Sequence, residues 1–260
     1  MKNLISKIAI TAAALGMATS MSVGLASAEL RIGLDTAPYP PFAEVDASGN
    51  QTGFEIELGE AVCEAMGETC VWTPTAWDGI IPALTSNKID AIFASMSITE
   101  ERSKVIAFSD KYYNTPAVLV APKSSSITED PASLAGKIVG VQVSTTHANY
   151  AQAKFEATAD SIKTYPAFDE HNADLLAGRV DAVVGDSLAF SDFLEANPDF
   201  EVKAQLNDDA IFGLGVGVGL RKEDTELLAK FNAAIKQVRA DGTYDEIASK
   251  YFDFNIYGAE

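Results

Sequence analysis

In the run Lys88-Ile89-Asp90-Ala91-Ile92-Phe93-Ala94-Ser95-Met96-Ser97-Ile98-Thr99-Glu100-Glu101-Arg102, an apolar segment gives way to hydroxyl residues and then to a helix start. Ile89 to Ala94 has the length and content of a buried strand. Ser97-Ile98-Thr99-Glu100 is a capping-box pattern and predicts a helix beginning there. Similar strand-to-helix units lie on both sides. Upstream, Leu30 to Leu34 reads as a strand, Phe54 to Met66 as a helix with Leu58, Val62 and Met66 four apart, Val71 to Thr73 as a strand and Trp77 to Ser86 as a helix. Val105 to Phe108 and Ala117 to Ala121 are strand-like. The pattern then restarts, with strands at Lys137 to Gln142 and Val180 to Val184 and helices at Thr146 to Ala157, Asp169 to Ala177 and Ser187 to Ala196. Glu223 to Ala240 and Tyr244 to Tyr251 close the chain as helices.

Two series of β-α units predict an α/β protein of two doubly wound lobes. The chain would cross between them near Asn114 to Ala117 and again near Asp209 to Gly215. Residues 29–115 and 214–260 then form lobe 1 and residues 116–213 form lobe 2, joined by a two-stranded hinge that permits a defined closure. The run Gly213 to Leu220 alternates Gly with apolar residues and lacks the helix a phosphate loop requires. It reads as a strand that lets another backbone approach closely.

Residues 1–28 stand apart. Lys2 and Lys7, an apolar run from Ile8 to Ala18 and the small-x-small sequence Ala26-Ser27-Ala28 predict a secretory signal peptide cleaved after Ala28. The 260 residues carry 19 Lys+Arg against 37 Asp+Glu, a formal net charge of −18, which excludes a nucleic-acid binder. No later apolar run approaches the roughly 20 residues of a membrane span. With 47% hydrophobic residues the chain can build a core. The two cysteines, Cys63 and Cys70, are expected to pair in an oxidising compartment, the alternative being two buried thiols. His147 and His171 are far apart in sequence, so no metal site and no cofactor is expected.

Ligands of open α/β sheets bind beyond the carboxyl ends of the strands, so the turns there hold the candidate site. Asp35 and Tyr39 lie in a loop stiffened by Pro38, Pro40 and Pro41. Ser95 and Ser97 precede the predicted helix that carries Arg102, and hydroxyls with free backbone N–H groups there suit an anion. Arg102 could grip a carboxylate with two hydrogen bonds, or pair with Glu101 or Asp110. Thr145, Thr146 and His147 follow the next strand, where Thr145 or Thr146 could simply cap a helix. Asp186 ends another strand and could take an ammonium or cap a helix. Trp77 could face Tyr39 across an apolar slot, or fill the core. An anion site and a cation site together match an α-amino acid.

At these residues the sequence resembles the periplasmic amino-acid-binding proteins of ABC importers, in particular the branch for lysine/arginine/ornithine, histidine and opines. The resemblance spans the chain after residue 28. It is carried by Arg31-Ile32-Gly33-Leu34-Asp35-Thr36, Gly53-Phe54-Glu55-Ile56, Trp77-Asp78-Gly79-Ile80-Ile81-Pro82-Ala83-Leu84, Lys88 to Ile92, Ser95 to Arg102 and Ala107 to Asp110, and by Ala177 to Ala182, Gly217 to Lys222 and the end from Asp241 to Asn255. It implies a type 2 periplasmic-binding-protein fold, a monomer, an amino-acid ligand and an inner-membrane permease complex as partner. It also implies roles. Arg102, with the N–H groups of Ser97 and Thr146, would hold the α-carboxylate. Asp186, with the Ser97 hydroxyl and the Ser95 carbonyl, would hold the α-ammonium. Tyr39 and Trp77 would sandwich the side chain, with Asp35 and Glu55 at a distal cationic group. Paired Cys63 and Cys70 match the basic-ligand branch. Ala94 stands where that branch often carries Ser, His147 where Gln is common, and Pro38 is an insertion. The ligand implied is a cationic amino acid, arginine first. The alternatives are an opine or polar amino acid and, in another class, an enzyme like the periplasmic cyclohexadienyl dehydratases, with His147 as acid or base.

Overall fold

The computed structural model describes residues 29–258, so the predicted signal peptide lies outside the described residues. The first part of the chain runs β1 (Leu30–Leu34), β2 (Glu44–Val45), β3 (Gln51–Thr52), α1 (Phe54–Met66), β4 (Cys70–Pro74), α2 (Ile80–Thr85), β5 (Ala91–Ile92), α3 (Glu100–Ser103) and β6 (Ala107–Phe108). It continues through β7 (Ala117–Pro122), β8 (Ile138–Gln142), α4 (Thr146–Phe155), β9 (Ser161–Tyr165), α5 (Phe168–Leu176), β10 (Ala182–Asp186), α6 (Ser191–Ala196), β11 (Phe200–Leu206) and α7 (Asp209–Phe212). It ends with β12 (Gly219–Leu220), α8 (Thr225–Ala240) and α9 (Thr243–Ala248).

Two five-stranded sheets organise these elements, in the orders β4-β1-β5-β12-β6 and β11-β7-β10-β8-β9. In the first, β1 lies parallel to β4 and β5, while β12 runs antiparallel to β5 and β6. The second repeats the scheme: β8 is parallel to β9 and β10, and β7 is antiparallel to β10 and β11. Each sheet is thus a doubly wound unit with an antiparallel strand where the chain returns from the other. Sequence alternation shows why the second sheet is covered on both faces. Val118, Val120 and Val183 enter one apolar cluster, and Leu119, Ala121, Ala182 and Val184 the opposite one. In the first sheet, Phe231, Ala234, Ile235 and Val238 of α8 share a cluster with Leu58 and Val62 of α1, so the closing helices pack back onto the first lobe.

Two connecting segments cross between the sheets side by side. Val216 forms antiparallel bridges to Tyr113 and to Ser97, with Val216 N–H donating to the Tyr113 carbonyl at 2.9 Å. This is the two-stranded hinge, and the glycine run supplies it. The ladder itself covers only Gly219–Leu220; the rest of Gly213 to Leu220 is bridged coil because Gly213 (φ +82°) and Gly215 (φ +115°) are left-handed. A Cβ on Gly213 would lie 2.0 Å from the Ile98 carbonyl oxygen, which accounts for the glycine. Cys63, near the end of α1, and Cys70, which opens β4, form a disulfide with Cα atoms 6.1 Å apart.

Three local expectations change. The helix that carries Arg102 is a single turn, and its cap is Thr99, whose hydroxyl accepts from Arg102 N–H at 3.2 Å, rather than Ser97. Ser97 is held instead in the hinge bridge to Val216. The strand at Ile89 to Ala94 keeps ladder geometry only at Ala91–Ile92.

Candidate functional site

A cleft of about 620 Å³, its open mouth included, lies between the lobes at the carboxyl ends of β1, β5, β8 and β10. All ten residues singled out from the sequence line it: Asp35, Tyr39, Glu55, Trp77, Ser95 and Ser97 with Arg102 on the first lobe, and Thr146, His147 and Asp186 on the second. Gln142, Phe168 and His171 also line it. The sequence marks none of these three as a ligand residue: Gln142 ends a strand, Phe168 precedes the expected helix, and His171 stands out only as a candidate metal ligand without a nearby partner.

On the first lobe the turn after β5 is held by a buried acid. Glu55, in the first turn of α1, is 1% exposed. It accepts Ser95 N–H at 2.8 Å, Ser95 Oγ–H at 2.7 Å and the Tyr112 hydroxyl. These bonds keep Ser95 in a left-handed conformation (φ +52°), a strained state for a residue with a side chain. Burial pushes the Glu55 carboxyl up to about 7, against the lowering effect of those three donors.

Arg102 reaches across the cleft. Its guanidinium donates to the carbonyl of Ser97 at 3.0 Å and to that of Ser144, on the other lobe, at 3.2 Å. It lies over the Trp77 ring, 5.5 Å from the centroid, and the Trp77 indole N–H donates to the same Ser144 carbonyl at 3.2 Å. Neither Glu101 nor Asp110 forms an ion pair with it, and among the described residues no carboxylate does. Burial lowers its pKa to about 10 while the charges of Glu101 and Asp186 oppose that shift, so it remains a cation.

Asp186, at the end of β10, belongs to the opposite wall and caps no helix. It accepts the Tyr39 hydroxyl at 2.6 Å and lies 3.3 Å from His147 Nε2. Tyr39 stacks on Phe42 at 5.7 Å and meets Phe168 edge-on at 5.0 Å, so one aromatic ring touches both lobes. Thr145 caps α4 by accepting Ala148 N–H at 3.0 Å, which leaves Thr146 at the first helical position with its N–H ahead of the intrahelical ladder. Asp35 accepts Gln142 Nε2–H at 3.1 Å and Ala37 N–H at 3.2 Å, and burial raises its pKa. The described residues contain no cluster of His, Cys, Asp and Glu that could hold a metal.

The walls therefore present three carboxyl groups, Asp35, Glu55 and Asp186, around one half-buried cation without an acidic partner among the described residues. Such a set is complementary to a small molecule with one carboxylate and more than one cationic group.

The fold and this cleft define a two-lobed binding protein, and the chain belongs to the bacterial extracellular solute-binding proteins, family 3, whose model matches residues 30–254. Among its relatives, the L-arginine-binding protein of Pseudomonas aeruginosa is 42% identical, covering 97% of this chain and 99% of the relative. The lysine/arginine/ornithine-binding periplasmic protein of Escherichia coli is 44% identical over 93% of this chain and 98% of its own length. An ancestral arginine-binding protein solved with arginine bound superposes with a TM-score of 0.80 at 36% identity, covering 86% of this chain and 98% of that one. No helix among the described residues is long and apolar enough to cross a membrane.

Proposed function

We propose that this chain captures a cationic amino acid, arginine first, in the periplasm and hands it to an inner-membrane ABC permease, acting as a monomer and without catalysis. Lobe 1 comprises residues 29–115 with 214–260, lobe 2 residues 116–213, and the ligand closes one on the other. The observation that carries this reading is Arg102: a recessed guanidinium with no acidic partner among the described residues, facing Asp186 across a cleft otherwise rich in acids. Arg102 and the N–H of Thr146 receive the α-carboxylate. Asp186 and the Ser97 hydroxyl receive the α-ammonium, Trp77 and Tyr39 flank the aliphatic stem, and Asp35 meets the distal charge. Charge-assisted hydrogen bonds of about 1.5–3 kcal/mol each make two such anchors and the aromatic contact sufficient for the roughly 8 kcal/mol of micromolar binding. The names of the relatives support the same ligand class.

A thermal-shift screen tests it. Arginine, lysine, ornithine and histidine are expected to raise the melting temperature, while glutamate and aspartate leave it unchanged. A shift only with opines would move the ligand to amino acids bearing a second carboxylate. Turnover of prephenate or arogenate would replace binding by catalysis.

A further inference from the structure

His171 is wholly buried, at 0% exposure, yet it lines the ligand cleft, and neither of its ring nitrogens has a hydrogen-bond partner among the described residues. Its ring packs edge-on against Phe168 at 4.7 Å, with Tyr165 and Phe190 at 6.2 and 6.1 Å. An aromatic hydrocarbon would fill that space without the cost of two unpaired buried nitrogens. Packing alone therefore does not account for a histidine.

Its position selects a role. Gly140 and Gln142 of β8 are two residues apart and point to the same face. A Cβ on Gly140 would lie 3.4 Å from the Cβ of His171, so α5 crosses over Gly140 beside the Gln142 side chain. Gln142 Nε2 donates to Asp35 at 3.1 Å and to the Pro166 carbonyl at 3.2 Å, and its side-chain oxygen accepts no bond among the described residues. Asp35, Gln142 and His171 all line the one cleft, so the Asp35 carboxylate, the Gln142 oxygen and an imidazole nitrogen are acceptors open to one ligand. Burial is the main cause that pushes the imidazole down to about 3, with His147 adding to it and the adjacent Asn172 side chain opposing it; the ring is therefore neutral, with one nitrogen able to accept.

Resting on the cationic amino-acid reading, we infer that His171 is a specificity-determining residue that accepts an N–H of the ligand's distal guanidinium, alongside Asp35 and Gln142. A guanidinium offers five N–H donors in a planar fork, whereas the ammonium of ornithine is one compact group on a shorter stem. The site thereby selects arginine over ornithine.

Calorimetry on His171→Phe, which keeps a ring and removes both nitrogens, tests the inference with two ligands. The variant should bind arginine about tenfold more weakly and ornithine less than twofold more weakly. His171→Gln, which restores an acceptor, should recover most of the arginine affinity. An unchanged arginine affinity, or equal losses for both ligands, would overturn the role while leaving cationic amino-acid binding intact. A wild-type protein that binds neither ligand would overturn both. If His171→Phe does not fold, the ring ¹⁵N shifts of the wild-type protein decide: arginine should shift one His171 nitrogen resonance, and no shift would overturn the role.

Discussion

At the scale of single residues, Glu55 has the most testable physics. Its carboxyl titrates near 7 in the folded protein against an ordinary value of 4.5, with burial as the largest cause. Between those pH values the folded state holds a proton that the unfolded chain has released. Stability from this group is therefore complete below about pH 4.5 and falls as pH rises through 7, by about 3 kcal/mol in all. Glu55→Gln mimics the protonated acid: one amide oxygen can accept from Ser95 N–H and Tyr112, and the amide nitrogen can donate to Ser95 Oγ. Urea denaturation should show the wild type losing about 3 kcal/mol relative to this variant between pH 5 and pH 8; parallel pH profiles would refute it. Glu55 was legible in the sequence only through family resemblance. A Glu two residues after a glycine at a helix start gives no local sign of being 1% exposed. His171 was less legible still, since whether a histidine lacks partners depends on residues distant in sequence, here Gly140 of β8 and Phe190 just before α6.

At the scale of elements, apolar periodicity located the strands buried on both faces and the longer helices. It missed β9 and β11, which lie at the two edges of the second sheet. Ser161 to Tyr165 carries Lys163 and two hydroxyl residues because an edge strand can face water, so its sequence looks like a loop. The capping box was misplaced by two residues because Ser97 and Thr99 offer the same hydroxyl, and only the hinge bridge from Val216 to Ser97 settles which one caps. The alternating glycines, in contrast, did signal close backbone approach. Gly213→Ala places a side chain in a left-handed conformation and against the Ile98 carbonyl. The strained conformation alone costs about 1–3 kcal/mol. A fall in unfolding free energy of at least about 1 kcal/mol is expected from chemical denaturation, and an unchanged midpoint would show that the hinge tolerates the added atom.

For the whole molecule, the two sheets repeat one topology, and their facing strand ends bring together residues as far apart as Asp35 and Asp186. The groups of the two lobes already touch through Tyr39 to Asp186, Asp35 to Gln142, and Trp77 and Arg102 to Ser144. A ligand can favour this closed arrangement only by its differential affinity for it, and the anchors that exist only when the lobes meet supply that difference. The central claim is that Arg102 and Asp186 hold opposite charges of one zwitterion from opposite walls. Calorimetry with arginine and with agmatine, its decarboxylated analogue, on wild type and Arg102→Ala tests it most directly. The wild type should prefer arginine by at least about thirtyfold, and Arg102→Ala should lose about 2–5 kcal/mol of arginine binding and most of that preference. Equal affinities for the two ligands in the wild type, or a preference that survives removal of Arg102, would contradict the account.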